Sequence, residues 1–238
     1  MSEELTTQPA AGPEVSAGVP LSWRQVWTSA LIRPSVQTYQ DLLSDPQAIP
    51  RRAYLWVVAA ALISYAISMA GLALTGTSSL SAIQGIDTAS VLGPSMLLIL
   101  ACGLPVIAVA ALLGLIIGAG ITQGIAGLLG GAGTYARLVY AVAAFSAPLA
   151  IVSSVIGAIP QVNCVGIALL IYQIVLWVVA IAAVNLFGWG KAIGTFVITV
   201  VAVVLIVGCI TVVPLLLLGP VINNVYSNII QNLPTPGP

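Results

Sequence analysis

Hydrophobic positions in this chain come in long unbroken runs, and rare charges mark where the runs end. No charged residue occurs between Ala53 and Ile86, between Thr88 and Ala136, between Leu138 and Gly190, or after Lys191. A helix needs about 20 apolar residues to cross about 30 Å of hydrocarbon. The first gap accommodates one span, near Ala53 to Leu74, and then a polar loop from Gly76 to Ser90 that contains Asp87. A second span runs from about Pro94 to Gly118 and is followed by a glycine-rich piece, Gly118 to Tyr135. The third span lies near Ala136 to Ile159. The turn Pro160-Gln161-Val162-Asn163 then divides the remaining run into a fourth span, Cys164 to Phe187, and a fifth, Ala192 to Leu218. The pattern predicts an all-α polytopic membrane protein with five transmembrane helices.

Charge placement tests that count. Lys and Arg near span ends favour the cytosolic side. Arg24, Arg33, Arg51 and Arg52 precede the first span, Arg137 opens the third, and Lys191 separates the fourth from the fifth. With five spans all six fall on one side, which predicts the N-terminus in and the C-terminus out. Counting the glycine-rich piece as a sixth span would move Arg137 and Lys191 to the opposite side. It is therefore expected to be an inner loop or a shallow re-entrant segment.

The ends of the chain differ from its middle. Residues 1–20 carry Glu3, Glu4, Glu14 and three prolines with small polar residues, the composition of a disordered tail. Within 21–50, Trp23, Val26, Trp27, Leu31 and Ile32 share one face at helical spacing. Beyond Pro34, read as a first-turn proline, Val36, Tyr39, Leu42 and Leu43 share another. Amphipathic helices bearing Trp, Tyr and Arg suit a membrane interface; the same faces also suit packing beneath the spans. The membrane domain is 51–218, and 219–238 is a polar, uncharged tail.

Composition removes most functional classes. Of 238 residues, 60% are hydrophobic and 5% charged, against about 25% charged in soluble domains. Mean hydropathy is +1.14. The net charge of zero provides no footprint for nucleic acid. There is no histidine, and Cys102, Cys164 and Cys209 stand far apart in apolar stretches, so no disulfide framework, metal site or cofactor is read. The run Gly127 to Thr134, with Gly130, Gly131 and Gly133, is no phosphate loop: no strand precedes it and no Lys-Ser/Thr follows. It suits close-packed or flexible backbone. Gly114/Gly118 and Ser64/Ser68 are small-residue pairs for helix packing or a homo-oligomer face. Pro105, Pro148 and Pro214 are expected to kink spans.

The expected span interiors hold no ionisable residue, the usual mark of an ion path. Gln173 and Asn185 are their strongest polar residues, suited to an interhelical hydrogen bond or a solvated pore. General acid–base chemistry needs titratable groups, so no enzyme is expected.

The order of several short motifs is informative. Leu31-Ile32-Arg33-Pro34 and Tyr39 precede the first span. Gly130-Gly131-Ala132-Gly133-Thr134-Tyr135-Ala136-Arg137 precedes the third, which contains Ala147-Pro148. Ala183-Val184-Asn185-Leu186-Phe187-Gly188-Trp189-Gly190-Lys191-Ala192 leads into the fifth. From about Ser22 to Leu218 the chain resembles the Yip (Ypt-interacting protein) domain family in its prokaryotic form. The resemblance implies five spans and a cytosolic N-terminus. Eukaryotic members bind Rab-type GTPases through acidic N-terminal segments; that motif and Asp-Leu-Tyr-Gly-Pro are not present here. The combined expectation is a non-enzymatic scaffold or adaptor in a prokaryotic cell membrane, organising lipids or an unidentified membrane or cytosolic protein partner. The alternative is a small passive transporter or channel, oligomeric or not. A polar-lined cavity would favour the second, a fully packed bundle the first.

Overall fold

The computed structural model describes residues 20–80, 88–159 and 163–232, with side chains described outside 72–80, 88–99, 163 and 213–232. Most of the N-terminal tail, the Asp87 loop and the turn at Pro160 lie outside these residues. The described chain forms seven helices: α1 Trp23–Ile32, α2 Val36–Leu43, α3 Pro50–Leu80, α4 Thr88–Leu128, α5 Tyr135–Gly157, α6 Asn163–Asn185 and α7 Trp189–Asn232. Among the described residues there is no strand. Five segments are long and apolar enough to cross a membrane: Pro50–Gly71, Leu100–Leu128, Tyr135–Gly157, Cys164–Asn185 and Trp189–Val212. Helices are the form an isolated span must take, because lipid offers no partner for backbone N–H and C=O groups.

The spans close into a ring, α3 against α5, α5 against α6, α6 against α7, α7 against α4, and α4 back against α3. α5 also touches α4 and both short helices, which makes it the most buried span. Its sequence allows this, since Ala141, Ala143, Ala144 and Ala147 let neighbours approach. Large apolar residues elsewhere point outward, among them Val106, Leu113, Ile171 and Leu205. That is the expected surface of a protein whose solvent is lipid.

Several boundaries differ from the sequence reading. The expected loop Gly76 to Ser90 is shorter, because α3 runs to Leu80 and α4 already begins at Thr88. The second span does not stop at Gly118; α4 stays helical through the glycine-rich segment to Leu128. Glycine weakens a helix through backbone entropy and by exposing backbone to water; lipid removes the second cost, because it offers no water to compete for the N–H and C=O groups. The chain turns only at Gly130, whose φ of +83° is the left-handed conformation that favours glycine. Gly131 N–H reaches back to the Ala126 carbonyl at 2.8 Å and Gly130 N–H to the Gly127 carbonyl at 3.1 Å, a Schellman cap. At the other end, α7 continues past Gly219 to Asn232, across most of the region read as a polar tail.

Candidate functional site

The five span ends near Arg51, Leu128, Arg137, Asn185 and Lys191 lie at one end of the bundle, here termed the basic face. Two constructions dominate it.

The first is a helical hairpin, α1 and α2, folded into the bundle. Ser22 and Gln25 cap α1 reciprocally, and Ser35 caps α2 through the Thr38 N–H. Ser35 occupies the cap, so Pro34 lies before it in the turn and not in the first helical turn. Val26, Ala30, Tyr39 and Leu42 are buried. Tyr39 packs edge-on against Phe145, centroids 6.4 Å apart, and Phe145 against Trp177 at 5.9 Å. The Tyr39 hydroxyl points to the Ala30 carbonyl at 3.4 Å. At the tip, the Tyr172 hydroxyl donates to the Leu31 carbonyl.

Arg52 fastens the open end of the hairpin. Its guanidinium donates to the Leu21 carbonyl at 2.6 Å and to the Asp45 carboxylate at 3.4 Å, so it holds both the entry and the exit of the hairpin. It also lies 4.9 Å over the Trp56 ring. Trp23 and Trp27 meet Trp56 edge-on, and Tyr140 packs on its far side. Arg52 is therefore a buried clip as well as a topology-setting charge. Trp23 remains half exposed at the mouth.

Among the described residues charges stay at the ends of the spans, with Arg51, Arg52, Arg137 and Lys191 in the first turns of α3, α5 and α7, while the other charges belong to the hairpin. Arg33 sits at its tip, exposed, beside Tyr172 in the interior of α6. Among the described residues Arg52–Asp45 is the one ion pair, so Arg33 has no carboxylate partner there.

The second construction is a polar knot where the loop after α4 crosses the end of α6. Asn185 is 2% exposed. Its Oδ1 accepts from Gln123 Nε2 at 3.0 Å, and its Nδ2 donates to the Ile181 carbonyl at 3.2 Å. Gln123 also donates to the Gly133 carbonyl at 2.8 Å. A Cβ on Gly131 would lie 2.6 Å from Asn185 Oδ1, and one on Gly133 2.6 Å from the Val184 carbonyl. The motif glycines are thus clearance for this crossing. Lys191 donates to the Leu129 carbonyl at 3.4 Å, across the end of α4, and lies 5.7 Å from the Phe187 ring.

The remaining singled-out residues are dispersed. Tyr135 bridges spans, its hydroxyl 3.4 Å from that of Tyr54 and 3.5 Å from the Ile116 carbonyl. Arg137 is exposed on the first turn of α5, and Pro148 is buried within that helix. Gln173 is exposed on the wall of a cleft of about 390 Å³ among α3, α4, α5 and α6, with Ser146 and Ser153. Ser153 also borders a cleft of about 580 Å³ with Ser64, Ser68 and Ser154. Gln123, Asp45 and Tyr172 were not marked by the sequence, and Arg52 was marked only as a charge ahead of the first span. Their roles appear only once distant segments meet; a buried-type polar residue in an apolar run was the sole available signal for Gln123.

The fold and this basic face define a multi-pass helical membrane protein with an N-terminal hairpin built into its bundle. A sequence model of the Yip1 domain matches residues 29–226, nearly the whole described region, and the chain belongs to the Yip1 domain family. No curated protein and no solved structure matches it.

Proposed function

We propose that the protein is a non-enzymatic membrane scaffold or adaptor that organises partner proteins or lipids through its basic face. The observation that carries this reading is the division of the hairpin into two faces. One is locked into the bundle by Tyr39, Tyr172 and Arg52; the other presents Arg24, Gln25, Thr28 and Gln37 outward. A rigid scaffold displaying a polar face outward suits recognition better than turnover. We further propose that this face is cytosolic and the host membrane a prokaryotic cell membrane, as the grouping of Arg51, Arg137 and Lys191 at one end supports. Reporter fusions at Thr134 and Ser227 are expected to read inside and outside respectively; a cytosolic Ser227 overturns the orientation.

The scaffold reading is tested by cross-linking the full chain in native membranes and identifying adducts by mass spectrometry. Adducts from the hairpin are expected to fall at least fivefold when Arg24 and Gln37, exposed and outside the helix caps, are replaced together by alanine. An unchanged adduct set overturns the reading.

A second reading, a passive path for a small polar solute, is supported by the clefts that share Ser153. Solute flux in proteoliposomes that falls on Gln173→Leu would favour it; equal flux with empty liposomes would remove it.

A further inference from the structure

α5 and α6, the two spans the hairpin packs along, leave no spare length for it to sit outside the membrane, although α3, α4 and α7 run on well beyond one crossing. α5 and α6 have 23 residues each, about 34 Å at 1.5 Å per residue, against a hydrocarbon core of about 30 Å. Nearly all of both helices is needed to cross. Yet the hairpin lies along them from Arg52 to Tyr172 and Phe145. Tyr172 is roughly 20 Å from Asn185 along α6, and Phe145 roughly 15 Å from the start of α5. The tip, and Arg33 with it, therefore reaches the level of the bilayer midplane.

The outward face of the hairpin, from mouth to tip, is polar except for Trp23 at the mouth and Ile32 at the tip. Arg24, Gln25 and Thr28 on α1, Arg33 and Ser35 at the tip, and Gln37 on α2 are all exposed. Gln25, Thr28 and Ser35 find partners within the hairpin, but plain hydrocarbon against this face would strand the Arg33 guanidinium. An arginine at the centre of a bilayer is costly, and the known relief is water and headgroups drawn inward as the leaflet thins. The face carries two exposed arginines and one exposed carboxylate, Asp41 in the last turn of α2, away from the tip; Asp45 is buried against Arg52, so the face keeps a net positive charge and Arg33 has no ion-pair partner among the described residues. Its charge complement is an anion.

We propose that the hairpin's outer face holds open a hydrated indentation in the leaflet on the basic side, and that a phospholipid phosphate drawn into it pairs with the Arg33 guanidinium near the midplane. This rests on the lipid-organising part of the proposed function and gives it a mechanism: the protein thins one leaflet locally and holds a headgroup far below its normal plane. Arg33 suits the task because its planar fork can take two phosphate oxygens at once and stays charged when partly dehydrated.

The experiment uses the full chain with Cys102, Cys164 and Cys209 changed to alanine, reconstituted in phosphatidylglycerol/phosphatidylethanolamine liposomes. Ser35→Cys, at the tip, and Ile174→Cys, on the lipid-facing side of α6 at similar depth, are each challenged with a membrane-impermeant thiol reagent. Ser35→Cys is expected to react at least tenfold faster than Ile174→Cys. In parallel, native mass spectrometry counts retained phosphatidylglycerol. Arg33→Gln is expected to lose at least fivefold of the retained lipid and Arg33→Lys to recover part of it, with free inorganic phosphate displacing none. Equal, slow labelling at both cysteines overturns the proposal. So does lipid retention unchanged by Arg33→Gln, or cross-linking of Ser35→Cys to a second copy that shields it. Because none of these readouts needs a protein partner, the proposal can fail while the adaptor reading survives, and the reverse.

Discussion

The Tyr172 hydroxyl is bonded to the main-chain carbonyl of Leu31, across 141 positions of sequence, and this bond pins the hairpin tip to the interior of α6. The carbonyl belongs to the last turn of α1, where helix geometry leaves such groups without an internal partner. Tyr172→Phe removes the donor and keeps the ring. A net loss of about 1 kcal/mol is expected, with the spans intact. Hydrogen–deuterium exchange in nanodiscs should show residues 23–43 opening about fivefold more often, while α5 is unchanged. Equal protection in the two proteins would contradict the bond's role.

The other end of the hairpin depends on a charge. The Asp45 and Arg52 side chains are 1% and 10% exposed. Asp45→Leu leaves the Arg52 guanidinium enclosed with the Leu21 carbonyl and the Trp56 ring but no carboxylate. Breaking such a pair costs about 3–5 kcal/mol, whereas replacing both partners by apolar residues is far milder. Asp45→Leu is therefore expected to melt well below the parent in the same detergent. Adding Arg52→Met to it should recover most of the loss. A double variant less stable than Asp45→Leu would show that the clip acts through more than this pair.

These two contacts also mark the limit of what the sequence discloses. The five spans are legible because lipid demands unbroken apolar runs, and six positive charges cannot be hidden among them. The covered face of α2 is legible because Tyr39 and Leu42 recur at helical spacing; that of α1 is legible only in part, since Val26 and Trp27 pack inward while Trp23 and Ile32, expected on the same face, are exposed and Ala30 takes a buried place. Periodicity says which face is covered but not by what, so the depth of Arg33 could not be read: it is set by Phe145 and Tyr172, more than a hundred positions away. The extension of α4 past Gly118 was hidden for another reason. Glycine reads as a helix breaker in water, and the membrane lowers that penalty without removing it. Asn185 was legible as a polar residue in an apolar run, but its partner Gln123 fell in the segment expected to be loop.

The glycines of the polar knot separate into two kinds. A Cβ on Gly133 would meet the Val184 carbonyl at 2.6 Å and Asn185 Oδ1 at 2.7 Å, while one on Gly127 would meet nothing within 4 Å. Gly133→Ala must push the loop off α6 and break the Gln123 bonds, at an expected cost of about 2 kcal/mol or more, as overpacking against fixed backbone does. Gly127→Ala lies inside α4 and is expected to be neutral or to stabilise by up to about 1 kcal/mol through helix propensity. Thermal unfolding of the two single variants side by side checks the contrast. Equal melting temperatures would mean the loop does not rest on α6 as described.

Leu186 carries strain that the equivalent turn after α4 avoids. Both turns use the same cap: Phe187 N–H bonds the Ala182 carbonyl at 3.0 Å after α6, as Gly131 N–H bonds Ala126 after α4. After α4 the left-handed position is Gly130; after α6 it is Leu186, with φ of +56°. A side chain in that region costs about 1–2 kcal/mol because Cβ crowds the neighbouring carbonyl. Nor does burial repay the cost, since Leu186 is 69% exposed. Leu186→Gly removes the crowding but gives the unfolded chain more freedom, worth up to about 1 kcal/mol the other way. Leu186→Asn tolerates the left-handed region and keeps a side chain. Both are expected to raise the melting temperature, asparagine at least as much as glycine. Phosphatidylglycerol retention should be unchanged, because the turn lies apart from the hairpin's outer face. If instead both variants keep their stability but lose hairpin adducts or bound lipid, Leu186 is itself part of the recognition surface, and the strain is retained there for function.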